Sequence, residues 1–128
     1  MSVLARPDLA GLRVLIADDE LLCAMVLEDE VQDMGGHVIG PVSRVAEIVA
    51  TATREKADIA ILDINMQGQL TYDAAVELAS SGVRVLFMSG YNEMMDCPEA
   101  LKGAPLLTKP WTGDGLGKAL AAVVRQKR

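Results

Sequence analysis

Five short aliphatic runs, separated by stretches with the period of helices, constrain this chain more than any other feature. The runs are Arg13 to Ala17, His37 to Gly40, Asp58 to Leu62, Arg84 to Met88 and Leu106 to Leu107. They are near-continuous in Val, Ile and Leu, as in strands whose two faces are both covered by helices. Between them, Val45, Ile48, Val49 and Ala52 recur at i, i+3, i+4 and i+7, as do Leu116, Ala119, Leu120 and Val123, so each set lines one face of an amphipathic helix. The order βαβαβαβαβα predicts an α/β fold on a five-stranded parallel sheet.

The first helix, about Glu20 to Met34, carries Ala24, Leu27, Val31 and Met34 on one side and stops at Gly35-Gly36. Asp19 and Glu20 lie at the positive end of its dipole. Ser43 and Thr112 stand where N-caps of the second and last helices are expected. Asn92 to Gly103 contains Pro98 and Gly103 and predicts only a short or broken helix. The closing Arg125-Gln126-Lys127-Arg128 reads as a solvated helix terminus. With no repeat or linker, and 51% of 128 residues apolar, one core is expected: a single domain over 1–128, its core about 12–126.

Composition then removes whole classes of function. Twelve basic against eighteen acidic residues leave a net charge of −6, the wrong sign for binding a phosphate backbone, so no nucleic-acid partner is expected. No apolar run approaches the roughly 20 residues that cross a bilayer, and no basic stretch leads into an apolar one near Met1. A cytoplasmic protein without a membrane partner is the expectation. Cys23 and Cys97 lie far apart with no CxxC and a single histidine, which gives neither a disulfide framework nor a zinc site, and both read as buried thiols.

In an open parallel sheet, ligands sit beyond the carboxyl ends of the strands. Asp18 and Asp19 follow the first run, Asp63 the third, Ser89 the fourth, and Lys109-Pro110 the fifth. Singly, each acid has a plainer reading, with Asp18 and Asp19 capping a helix and Asp63 opening a loop. Together, three carboxylates on one edge repel unless a cation neutralises them, and oxygen ligands with open positions favour Mg²⁺.

The motifs Leu15-Ile16-Ala17-Asp18-Asp19-Glu20, Ile61-Leu62-Asp63-Ile64-Asn65-Met66, Phe87-Met88-Ser89-Gly90 and Thr108-Lys109-Pro110 are specific in combination. With them the sequence resembles the receiver domain of bacterial two-component response regulators, of the stand-alone type, over essentially the whole chain. The resemblance implies a flavodoxin-like (βα)5 doubly wound sheet of order 2-1-3-4-5. It implies that Asp63 accepts a phosphoryl group from a histidine kinase or phosphotransfer protein. It further implies that Asp19 binds Mg²⁺ directly, Asp18 mainly through water and Asn65 by its backbone carbonyl, and that Lys109 and Ser89 meet the phosphoryl oxygens. Such a chain signals to a downstream protein and is no enzyme beyond its own phosphorylation and dephosphorylation.

Departures from the family pattern accompany the matches. Leu106 stands where an aromatic residue is usual, Met66-Gln67-Gly68 replaces a proline, and Ser89 replaces the commoner Thr. Phe87-Met88-Ser89-Gly90-Tyr91 is similar to a subgroup of stand-alone receivers, in which Tyr91 has either a signalling or a packing role. Met94, Met95 and Trp111 read equally as partner surface or core. His37 reads as a core or surface histidine, and Gly113-Asp114-Gly115-Leu116-Gly117 as a helix start rather than a nucleotide loop. The alternatives carried forward are a phosphate sink or relay and a phosphorylation-independent adaptor. An aspartate-based phosphatase ranks below these, because Asn65 occupies the place of its second acid.

Overall fold

A computed structural model describes residues 7–90, 97–111 and 114–125. Its elements are β1 (Arg13–Ala17), α1 (Leu21–Asp33), β2 (His37–Val42), α2 (Ile48–Glu55), β3 (Ile59–Asp63), β4 (Asn65–Met66), β5 (Gln69–Leu70), α3 (Tyr72–Ser80), β6 (Arg84–Ser89), β7 (Leu106–Thr108) and α4 (Gly115–Val124). β1, β2, β3, β6 and β7 form one parallel sheet in the order β2-β1-β3-β6-β7. With the five core strands counted alone, this is the expected order 2-1-3-4-5 of the flavodoxin-like fold.

The aliphatic runs form strands because burial is available on both faces. Leu15, Ala17, Ala60, Leu62, Val85 and Phe87 pack with α2 and α3, while Val14, Ile16, Ile59, Ile61, Leu86 and Met88 pack with α1 and α4. Successive side chains on a strand point to opposite faces, so one continuous apolar run supplies two cores. Full burial of each large aliphatic side chain stabilises the fold by about 1.5–3 kcal/mol before the entropy of ordering is set against it. Tyr72 meets Phe87 edge to face at 5.6 Å and 86° on the α3 side.

Where the local expectations fail, the cause is local geometry. Ser43 caps nothing: a 3-10 turn over Val45–Glu47 precedes α2, and its N-cap is Arg44 without a side-chain bond. Thr112 lies outside the described residues, as do Tyr91, Met94, Met95, Gly113 and residues 126–128. Between β6 and β7 the described residues hold one 3-10 turn, Glu99–Leu101, in keeping with Pro98 before it and Gly103 behind it. Cys23 and Cys97 are half-buried rather than buried. β2 runs past Gly40 to Val42, and Gly40 is required there: φ is +95°, and a Cβ would stand 2.8 Å from the Val42 nitrogen. His37 is exposed.

β4 and β5 have no counterpart in the sequence reading. They form a two-stranded antiparallel hairpin, Asn65 opposite Leu70 and Met66 opposite Gln69, directly after β3. No helix among the described residues is long and apolar enough to cross a membrane.

Candidate functional site

β3 is buried along its whole length, so its last residue, Asp63, holds a carboxylate at the rim of the core with only 7% of its surface exposed. β1 delivers Asp18 beside it, buried to 2%, and Asp19 half-buried. Lys109, immediately after β7, reaches back over these acids. Its Nζ lies 2.9 Å from Asp63 Oδ2, 3.0 Å from Asp18 Oδ2 and 2.7 Å from Glu20 Oε1. β6 ends at buried Ser89, whose carbonyl accepts the Lys109 backbone N–H at 2.8 Å, so the hydroxyl strand and the lysine turn are tied together.

The expected residues Asp18, Asp19, Asp63, Asn65, Ser89 and Lys109 therefore share one edge of the sheet. Asn65 N–H donates to Asp63 Oδ1 at 3.2 Å. Thr71 N–H donates to the Ile64 carbonyl at 2.9 Å, which leaves Asn65 at a non-hydrogen-bonded hairpin position with its carbonyl outside the ladder. That is what a backbone ligand needs. Sequence reasoning missed three contributors: Glu20 as a partner of Lys109, Thr71, whose hydroxyl donates to the Asp63 carbonyl at 2.7 Å, and the Gln67 amide, which donates to Asp19 Oδ2 at 2.9 Å. Glu20 was visible beside Asp19. The other two had no local signal.

The electrostatics follow from burial. Loss of water pushes the Asp63 carboxyl above its ordinary value, against the downward pull of the Lys109 ammonium and the Asn65 amide. Burial also works against the Lys109 charge, but Glu20, Asp63 and Asp18 outweigh it and hold the ammonium well above the usual lysine range. Desolvation first, then Asp18, push the Cys23 thiol up to about 12, so it stays protonated and unreactive.

Donor chemistry fits a hard divalent cation. Oxygens of Asp18, Asp19 and Asp63 lie within 4.8 Å of one another, and the buried Asp18 Oδ2 has an ion pair with Lys109 but no hydrogen bond. Among the described residues the Lys109 ammonium pairs with three carboxylates, Asp18, Glu20 and Asp63, and Asp19 stands beside them as a fourth; the remaining negative charge is what such a cation neutralises.

A model of the family described as the response regulator receiver domain matches residues 14–121. The chain belongs to that family. Receiver domains are the signalling switches of two-component systems. Among relatives, this receiver domain is 30% identical over 119 residues to the transcriptional regulatory protein PdtaR of Mycobacterium tuberculosis, covering 91% of the chain and 58% of PdtaR. It resembles the response regulator PhyR of Brucella abortus with a TM-score of 0.77 at 28% identity, over 91% of this chain and 49% of that one. The chain thus spans about half the length of both. SdrG of Sphingomonas melonis Fr1 matches with a TM-score of 0.76 and 34% identity over 88% of this chain and 96% of its own, and SdrG has also been solved in a BeF3-activated conformation.

One departure, Leu106, and one residue left open between partner surface and core, Trp111, acquire a structural setting. Leu106 is half-buried and packs into the α3-side core. Trp111 packs against the α1 side and donates Nε1–H to Glu30 Oε2 at 3.0 Å, so it is anchored to α1.

Proposed function

We propose that this chain is a phosphorylation-dependent signalling switch in which Asp63 accepts a phosphoryl group from a histidine kinase or phosphotransfer protein. The observation that carries this reading is the cluster of Asp18, Asp19 and Asp63 carboxylates with Lys109 reaching into it, its ammonium 3.0 Å from Asp18 Oδ2 and 2.9 Å from Asp63 Oδ2. In the transfer, an Asp63 carboxylate oxygen forms the new O–P bond as the donor P–N bond breaks, and the electron pair leaves with the histidine nitrogen. Phosphoryl transfer asks little covalent work beyond a placed nucleophile and positive charge at the equatorial oxygens. Lys109 supplies such charge, and Ser89 donates a hydrogen bond from the adjoining strand.

Asp18, Asp19, Asp63 and the Asn65 carbonyl are the groups that hold Mg²⁺, which when bound offsets carboxylate repulsion and draws charge from the phosphoryl oxygens. The adduct brings roughly −1.5 to −2 charges by analogy with other phosphorylated side chains. Lys109 then exchanges carboxylate partners for phosphoryl oxygens, and its backbone bond to Ser89 carries the change to both loops. The chain catalyses only its own phosphorylation and dephosphorylation, acts in the cytoplasm, and signals by protein contact.

The donor protein approaches over α1. Leu21, Leu22, Met25 and Val26 are exposed there, at 69%, 77%, 49% and 49%. Of these, Leu22 and Val26 line a groove of about 660 Å³ whose walls also include Glu20, Glu30, Lys109 and Trp111, and which opens beside the phosphoacceptor. An apolar patch at the entrance to a charged site suits a protein donor better than a small polar one. Support also comes from SdrG, a relative with a BeF3-activated conformation.

Intact-mass measurement after incubation with acetyl phosphate or a phosphorylated histidine donor, with and without Mg²⁺, tests the reading. A single adduct requiring both Mg²⁺ and Asp63 supports it. An undiminished adduct in Asp63→Ala refutes it, and no adduct under any condition leaves the phosphorylation-independent adaptor. A short adduct lifetime identifies a phosphate sink or relay.

A further inference from the structure

The hairpin that follows the phosphoacceptor has an unusual tip. Gln67 has φ +53° and Gly68 φ +84°, the pair of positive values that a type I′ turn demands. Glycine adopts such a φ without strain, but glutamine does not. Lys56, at the C-terminus of α2, is the other non-glycine residue with positive φ among the described residues.

What this backbone geometry delivers is a main-chain donor. Gln67 N–H points at Asp19 Oδ2 across 2.9 Å, joining segments 48 positions apart. Among the described residues it is the only hydrogen-bond donor to the Asp19 carboxylate. The rest of the hairpin is braced so that the tip cannot drift. Gly68 N–H donates to Asn65 Oδ1 at 2.9 Å, Asn65 N–H to Asp63 Oδ1 at 3.2 Å, and Thr71 Oγ1–H to the Asp63 carbonyl at 2.7 Å. The same short element thus grips the phosphoacceptor at its base and Asp19 at its tip.

A carboxylate held through one oxygen by a fixed amide cannot rotate freely, and its second oxygen is presented in one direction. Carboxylate ligands of metal ions are held by outer hydrogen bonds in this way, and loss of such a bond costs about 10- to 100-fold in affinity. We propose that Gln67 is a positioning residue whose backbone amide, aimed by the left-handed turn, orients Asp19 for the divalent cation. This rests on the cation proposed above and not on the phosphoryl group.

Mg²⁺ titration of the purified chain, read by ¹⁵N amide shifts and by Trp111 fluorescence, tests it on three variants. Gln67→Gly keeps the amide and welcomes the positive φ. Gln67→Val keeps the amide but resists that φ, and Gln67→Pro removes the amide altogether. The expected order of affinity is Gly equal to or above wild type, then Val, then Pro, with Pro about 10- to 100-fold weaker than wild type. In the wild type, the Gln67 amide keeps its hydrogen-exchange protection when Mg²⁺ is saturating. A folded Gln67→Pro with wild-type affinity overturns the proposal, as does a Gln67 amide that loses protection on Mg²⁺ binding. Should Gln67→Pro fail to fold, equal affinities for the Gly and Val variants overturn it. A wild-type chain that binds no Mg²⁺ overturns both this proposal and the reading beneath it, whereas loss confined to the variants upholds both.

Discussion

Lys109→Met removes the one ammonium that faces Asp18, Asp63 and Glu20, and its cost can be worked from the three distances. At about 3 Å and an effective dielectric near 20, each contact carries roughly 5 kcal/mol of Coulomb attraction, against several kcal/mol for desolvating the ammonium. Glu20 is 65% exposed, so its share is largely screened by water. Asp18 and Asp63 are buried, and removing one partner of a buried pair costs about 3–5 kcal/mol. Because Lys109 itself keeps 14% of its side-chain exposure, we take the lower end, about 3 kcal/mol. At about 2.1 cal/mol/K per residue over 128 residues, this lowers Tm by roughly 11 °C. The assay is a thermal melt in EDTA at neutral pH, repeated with saturating Mg²⁺ and at falling pH. Mg²⁺ restores much of the loss by supplying the missing positive charge. The pH sign also follows. Asp63 already titrates above its ordinary 3.8, and loss of the ammonium moves it higher. The folded variant then takes up a proton where the unfolded chain does not, so the deficit shrinks as pH falls from neutral toward 5. A variant melting within roughly 2 °C of wild type in EDTA, or a deficit that widens as pH falls, refutes the reasoning.

Further consequences follow from the same contacts. Asp63→Asn replaces an ionised buried carboxylate by a neutral isostere, so the variant gains stability over wild type at neutral pH and the difference vanishes as pH falls toward 4; urea midpoints across that range check it. Thr71→Val leaves the Asp63 carbonyl without its 2.7 Å donor and costs about 1–3 kcal/mol, read as a lower urea midpoint at unchanged slope. Phe87→Ala opens a cavity in the α3-side core and loses the edge contact with Tyr72, for a loss of about 3–5 kcal/mol in chemical denaturation. Mg²⁺ raises the wild-type Tm by mass action and leaves that of Asp19→Ala nearly unmoved, which differential scanning calorimetry with and without EDTA resolves.

The strands and the site edge were legible for one reason. A both-faces-buried strand announces itself by composition, and the residue after it is placed at the carboxyl edge by chain direction alone. Asp18, Asp63, Ser89 and Lys109 each sit at or just beyond the end of a strand, so their convergence needs only the order of the strands. The hairpin was illegible because each of its strands has two residues and its turn is Gln67-Gly68, without the Asn-Gly or Asp-Gly signal. Its acceptor, Asp19, lies 48 positions away. Likewise Ser43 is a reasonable cap residue by type, and only the 3-10 entry to α2 removes it from that role.

The sequence by itself determined the alternation of strands and helices, the doubly covered sheet, and the set of acids, hydroxyl and ammonium at its carboxyl edge. These depend on side-chain periodicity and strand direction, which are local. Tertiary structure alone decided that Glu20 shares Lys109 with Asp18 and Asp63, that Asp63 is pushed upward by burial, and that a left-handed Gln67 holds Asp19. Those outcomes depend on distances between segments far apart in the chain and on how much water reaches them, and neither quantity is written in any single stretch of residues.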